Sequence, residues 1–223
     1  MGSDLSIVNA ARVSFHKESG WENEKDIWET GYDSGYTHQN PIIVPVLKEA
    51  DIKLLNYLAK HNHWSPFAHT SLQFRIKAPI FVSRQLVKHQ VGGVWNEVSR
   101  RYVDEEPEFW FPDVWRGKPV NAKQGSSGKV ELSLPTYAQV TAESSLFAYN
   151  YLLEQGVAPE QARMVLPQNM MTEWIWTGSL MFFNRVVKLR TDAHAQEECQ
   201  QVARLINEQI PEEFAHSWKA LQE

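Results

Sequence analysis

Apolar and polar positions alternate along this chain in two rhythms. Leu72, Phe74 and Ile76 interleave with Gln73, Arg75 and Lys77, a period of two that predicts a strand with one face on a core. Elsewhere helical spacing prevails. Leu54, Leu55 and Leu58 predict a helix over 51–59 that gives way to the turn His61-Asn62-His63-Trp64-Ser65-Pro66. Pro79 suits the first turn of a helix reaching about Gln90, where Gly92-Gly93 would stop it. Gln85, Lys88 and His89 would then share a face.

Residues 135–154 predict a long helix with Gly156 as its C-terminal cap, and a short helix follows over 159–167. A further helical run is expected over 174–190. Asp192 is expected to cap a helix whose apolar stripe is Cys199, Val202, Ala203 and Ile206, with Glu197 and Glu198 near its positive end. Phe214, Trp218 and Leu221 mark one side of a last helix. A few strands among many helices give an α+β fold, expected as one domain over 1–223.

Composition narrows the partners. Hydrophobic residues make up 43% and charged residues 22%, ordinary for a chain that folds around a core. The formal net charge of −5 argues against a nucleic-acid polymer but leaves room for a local basic pocket for one mononucleotide. A single cysteine, Cys199, excludes an intramolecular disulfide and points to the cytoplasm. Neither a secretory signal nor a membrane span is expected. The patch Gln124-Gly125-Ser126-Ser127-Gly128 reads as a flexible loop.

The densest polar stretch is Arg84-Gln85-Leu86-Val87-Lys88-His89-Gln90, followed by Gly92-Gly93 and Asn96-Glu97-Val98-Ser99-Arg100-Arg101-Tyr102. Cationic and neutral hydrogen-bonding groups together suit a phosphate plus a pyrimidine ring, and glycines let backbone amides approach a ligand. By composition alone, Lys88, Arg100 and Arg101 better suit a solvated charged face, and spacing alone does not decide between the two.

That stretch resembles the signature of flavin-dependent thymidylate synthases, a basic-His-basic triplet, a small-residue loop and then Asn-Glu-x-Ser-x-Arg-Tyr. Further matches to the same family follow its order, from Asn9-Ala10-Ala11-Arg12-Val13-Ser14-Phe15 through Ser65-Pro66-Phe67-Ala68-His69 and Ala162-Arg163-Met164-Val165-Leu166-Pro167 to Leu189-Arg190-Thr191-Asp192-Ala193-His194-Ala195-Gln196. The resemblance implies an antiparallel sheet packed against several long helices. It also implies conversion of dUMP to dTMP with 5,10-methylenetetrahydrofolate as carbon donor and FAD, reduced by NADPH, as hydride source. Gln85, Glu97, Ser99, Arg101, Arg163 and Arg190 are the implied dUMP contacts, and Ser14, His69, Lys88, His89, Gln90 and Glu97 the implied FAD contacts. Arg190 and Ser99 are the catalytic candidates, and a homotetramer with shared sites is the implied assembly. The chain departs from the family pattern in its triplet Lys88-His89-Gln90, in Ala68 where glutamate is common, and in Ser179 and Met181 where many relatives place Asn and Arg, with Arg185 nearby.

Rival chemistries have thinner support. His61, His63 and His69 cluster without a carboxylate or cysteine at metal-motif spacing. Cys199 faces an apolar stripe, unlike an activated nucleophile. No G-x-G-x-x-G turn is present for a Rossmann-type dinucleotide site. A nucleotide-binding relative that has lost the chemistry is the remaining alternative.

Overall fold

The computed structural model describes residues 2–23, 27–33, 36–42, 45–103, 105–120, 125–131 and 135–223, with the side chains of 23, 27–33, 36–42, 135 and 136 left aside. Along the chain the elements run α1 (Asp4–Arg12), β1 (Glu22–Asn23), β2 (Ile27–Asp33), β3 (Tyr36–Ile42), β4 (Pro45–Val46), α2 (Glu49–Lys60), α3 (Ser65–Ala68), β5 (Leu72–Pro79), α4 (Ile80–Leu86) and β6 (Gly93–Glu97), and then α5 (Pro135–Glu154), α6 (Pro159–Ala162), β7 (Met171–Gly178), α7 (Leu180–Arg190), α8 (Glu197–Glu208) and α9 (Ala215–Gln222). The α+β expectation holds, with antiparallel pairing of β1 with β4, β2 with β3 and β6 with β7. The chain divides into two compact units, one of Met1–Leu72, Ser179–Asn184 and Ile210–Glu223, the other of Gln73–Gly178 and Arg185–Gln209.

In the first unit α1 begins at a capping box between Ser3 and Ser6 and buries Ile7 and Val8. Helix α2 buries Leu55 and Leu58, as its spacing predicts, but the third inward position is Asp51, while Leu54 is half-exposed. Asp51 is fully buried and accepts hydrogen bonds from Arg12 and from the Ser19 hydroxyl. Asp4, also buried, accepts the backbone amides of His216 at 2.9 Å and Ser217 at 2.8 Å, so a carboxylate sits at the amino end of α9. Phe214, Trp218 and Leu221 are buried.

The second unit holds a three-stranded sheet in the order β5-β7-β6. Sequence spacing over 174–190 predicts one helix, and the structure corrects this: β7 occupies Met171–Gly178, and α7 begins only at Leu180. Thr172, Trp174, Trp176 and Gly178 are buried while their neighbours are half-exposed, a period of two inside an aromatic run. Aromatic density masked that period. A second correction falls at β6, where the expected loop after Gly92 is a strand registered Gly93↔Gly178, Trp95↔Trp176 and Glu97↔Trp174. Trp95 stacks on Trp174 with ring centroids 4.3 Å apart.

Helix α4 is shorter than the 79–90 expected. Pro79 ends β5 with extended backbone and serves as the N-cap, and the helix closes before the turn that contains Lys88, His89 and Gln90. Gly92 takes a positive φ of 86° there, which a glycine adopts without strain. Asp192 does not cap α8. Its carboxylate accepts the His194 amide in a preceding turn, and Gln196 holds the N-cap position without a side-chain cap. Cys199, Val202, Ala203 and Ile206 form the buried stripe of α8 as expected.

Candidate active site

Within the second unit, α4, α5, the start of α8 and the segment 110–116 enclose a cavity of about 1000 Å³. Trp110, Trp115 and Tyr137 supply apolar wall; Gln85, Arg116, Arg190 and Glu198 supply polar wall. Aromatic wall with a few convergent polar groups, at this size, suits one nucleotide-sized ligand. Backbone pairing puts Trp110 there: its amide donates to the Asn169 carbonyl at 2.9 Å, and the Met171 amide donates to Glu108 at 2.7 Å. Asn169 returns a side-chain hydrogen bond to the Trp110 carbonyl at 2.9 Å.

Arg116 is carried on a narrow ribbon in which Gly117 donates to Gly128 at 3.0 Å and Val130 donates to Trp115 at 2.9 Å. A Cβ at Gly117 would meet Ser127 Oγ and press on Val130, so a larger residue there would have to turn the Ser127 side chain aside. The sequence reads 124–128 as a flexible loop. Gln124 lies outside the described residues, whereas 125–128 fold back along Gly117, and the Ser126 hydroxyl accepts from Arg116 Nε at 2.9 Å.

Polar side chains link up along the wall. Arg116 Nη2 donates to Glu198 Oε1, Gln196 Nε2 donates to Glu198 Oε2 at 2.9 Å, and Gln85 Nε2 donates to Gln196 Oε1. Arg190 Nη2 donates to the Gln85 backbone carbonyl at 2.9 Å, and Arg190 Nε donates to His89 Nε2 at 3.0 Å. The His89 ring therefore carries its proton on Nδ1 and packs edge-on against Trp176 at 6.3 Å. Burial, reinforced by the Arg190 charge, pushes His89 below its ordinary pKa, so it is neutral at pH 7 and Arg190 is the cation of the pair. Burial pushes Glu198 up, but hydrogen bonds from Arg116, its own backbone amide and Gln196 outweigh this and hold it below the usual carboxylate value. Burial raises the Cys199 thiol to about 11, against a smaller opposing pull from Arg190. Cys199 is thus a protonated core residue, as its stripe predicts.

Of the residues the sequence nominates, the structure gathers Gln85, His89 and Arg190 into this one cluster. Lys88 and Gln90 flank His89 in its turn and are exposed. Glu97, on β6, accepts from Thr172 at 2.8 Å and from Trp95 Nε1 at 3.1 Å. Ser99 accepts from Arg101 Nε at 3.1 Å, and Arg101 lines a second cavity of about 430 Å³ with Arg100, Tyr149 and Asn150. Arg163 is exposed on a 3-10 turn and does not line the larger cavity; its Nε donates to the Glu160 carbonyl at 3.3 Å. Ser14 and His69 lie exposed in the first unit. His61 and His63 flank Tyr57, with ring centroids 4.3 and 6.1 Å away. Among the described residues no cluster of three or more His, Cys, Asp and Glu could hold a metal ion.

Sequence reasoning missed Arg116, Gln196 and Glu198 as parts of a site. Gln196 closes a motif already singled out, so position could have flagged it. Glu198 reads as an ordinary acidic first-turn residue, and Arg116 sits in a stretch without periodicity.

Comparison with known proteins identifies the family. Residues 1–214 match the family model described as thymidylate synthase complementing protein. The chain is 38% identical over 225 residues to a flavin-dependent thymidylate synthase of Thermus thermophilus, covering 100% of this chain and 73% of that one. It is 39% identical over 207 residues to the protein of that name from Kosmotoga olearia, covering 91% and 78%. Among solved structures, the UMP/dUMP methylase PolB from Streptomyces cacaoi, bound with 5-Br dUMP, superposes with a TM-score of 0.77 at 27% identity, covering 99% of this chain and 91% of that one.

Proposed function

The chain belongs to the flavin-dependent thymidylate synthase family, and from that premise we propose that it converts dUMP to dTMP with 5,10-methylenetetrahydrofolate as carbon donor and NADPH as reductant. The observation that carries this reading is the Arg190 guanidinium, fixed on a nucleotide-sized cavity by a neutral histidine and a backbone carbonyl.

Arg190 stabilises the negative charge that develops on the pyrimidine carbonyls as C5 attacks the folate one-carbon unit. His89, an acceptor at Nε2, keeps that cation oriented without adding a second positive charge. Gln85 hydrogen-bonds the base, while Arg101 and Arg163, which do not line its cavity within one subunit, offer the forked donors a phosphate takes from another subunit of a shared site. Ser99 holds Arg101 and offers its hydroxyl to the nucleotide. Glu97, braced by Thr172 and Trp95, presents its carboxylate from β6. Lys88, His89, Gln90 and Glu97 of one unit, and Ser14 and His69 of the other, are the residues that would hold FAD, since hydroxyl, imidazole, ammonium and amide groups match a diphosphate and the polar edge of a flavin. When bound, the reduced FAD supplies the hydride that completes the methyl group.

The enzyme works as a homotetramer in the cytoplasm. Tyr137, Val140, Phe147 and Tyr151 leave an exposed apolar line along α5 that supports self-association, and the lone thiol supports the compartment. No helix among the described residues is long and apolar enough to cross a membrane. Turnover of purified protein, followed as dTMP formed from dUMP with folate donor and NADPH, tests the reaction, with UMP as the comparison substrate. The expected result is dTMP formation that requires both co-substrates; none in flavin-loaded, folded protein would leave the chain a nucleotide-binding relative. Light scattering tests the assembly, and a stable active monomer would overturn it.

A further inference from the structure

The chain of side chains from Arg116 to Gln85 has a direction. Arginine only donates hydrogen bonds and an ionised carboxylate only accepts them. With Arg116 Nη2 on one oxygen of Glu198, the other oxygen requires Gln196 to turn its NH2 group toward it, at 2.9 Å. The carbonyl end of Gln196 then faces Gln85, and only the NH2 group of Gln85 can meet it. Gln85 lines the cavity and keeps Oε1 and one N–H to offer there. Reversing that amide would set two carbonyl oxygens against each other in a half-buried position.

We propose that Glu198, acting through Gln196, is a positioning residue that locks the donor–acceptor order of the Gln85 amide, so that the cavity selects the lactam edge of uracil over the amidine edge of cytosine. The inference rests on the reading of Gln85 as a contact of the pyrimidine. Uracil offers a ring N–H beside a carbonyl, the complement of an amide Oε1 beside an N–H. Cytosine in the same pose offers a bare ring nitrogen beside an amino group, so acceptor meets acceptor and donor meets donor. An unanchored glutamine would rotate to suit either ring, since its two ends differ only in hydrogen-bonding sense. Arg116, itself tied to Ser126 at 2.9 Å, and the acidity of Glu198 keep the far end of the chain from reversing.

Glu198→Gln makes a sharp test because it offers one carbonyl where the carboxylate has two oxygens. Arg116 must still be accepted, so the new amide gives its oxygen to Arg116 and its NH2 to Gln196; Gln196 turns over, and Gln85 turns with it. Calorimetric titration of dUMP and of dCMP into the flavin-loaded enzyme reads the outcome. The unaltered enzyme should prefer dUMP, and Glu198→Gln should lose about tenfold or more of that preference, the usual worth of a bidentate base contact. Loss of flavin and nucleotide affinity with the preference intact would be a merely structural effect and would overturn the proposal. Should Glu198→Gln not fold, Gln196→Met leaves the Arg116–Glu198 pair in place, and a preference kept at its full value would be equally fatal. If the unaltered enzyme binds no dUMP at all, the reading of the site fails first and the lock falls with it.

Discussion

Asp51 and Glu198 are both buried carboxylates paired with an arginine, one in each compact unit. Around Asp51 the partners Arg12 and Ser19 take up both oxygens, and the cluster does not line the larger cavity. Around Glu198 the second oxygen is held by Gln196, which passes the constraint to Gln85 on the cavity wall. A buried ion pair by itself is weak evidence for either stability or function. What separates the two is where the hydrogen-bond chain ends: on side chains away from the larger cavity in one case, on an amide that lines it in the other.

The largest effect expected sits at the closed pair. Asp51→Ala should cost about 3–5 kcal/mol of unfolding free energy, because it strands a partly buried Arg12, while the remaining folded protein keeps its preference for dUMP. Denaturant unfolding reads the first quantity and nucleotide titration the second; a selective loss of dUMP binding would erase the contrast between the pairs. Next comes Arg190→Ala, which should lower turnover by about 10²–10³, as removal of a preorganised donor to developing charge does, with FAD occupancy nearly kept. Parallel loss of flavin and turnover would instead assign Arg190 to the cofactor.

A smaller effect concerns His89. Its pKa lies below 6.5 in the folded protein, first through burial and then through Arg190, so the unfolded chain binds the proton more readily. Its contribution to stability is present above pH 6.5 and declines as the pH falls from there toward the lowered value. Arg190→Gln should raise the His89 pKa in an NMR titration without restoring it fully, since burial remains. An unchanged titration would mean that the two groups do not sense each other. The smallest expected effect is at Cys199: Cys199→Ser should leave turnover nearly intact, and the native thiol should resist alkylation at pH 8. Abolished turnover in folded Cys199→Ser would reopen cysteine chemistry.

Much of this was legible in the residue pattern, and the failures have a common cause. Helices with a one-sided stripe, such as α2 and α8, follow from spacing, and so does β5 with its clean alternation. Strand β7 did not, because Trp174, Ile175 and Trp176 are all bulky and apolar, and its period shows only once burial separates them. The cluster Gln85, His89 and Arg190 was nominated because it falls within recognised motifs. Arg116 and Glu198 lie 82 positions apart and meet only through the Gly117 ribbon, a tertiary event that local spacing does not encode. Asp192 failed as a cap for a simpler reason: its carboxylate found the His194 amide first.

The absorption spectrum of the purified protein, recorded with and without dUMP, tests the central claim most directly. A flavoprotein thymidylate synthase should show an oxidised flavin band, and dUMP bound beside the cofactor should perturb it. A colourless protein that takes up no FAD, or a flavin band indifferent to saturating dUMP, would contradict the account.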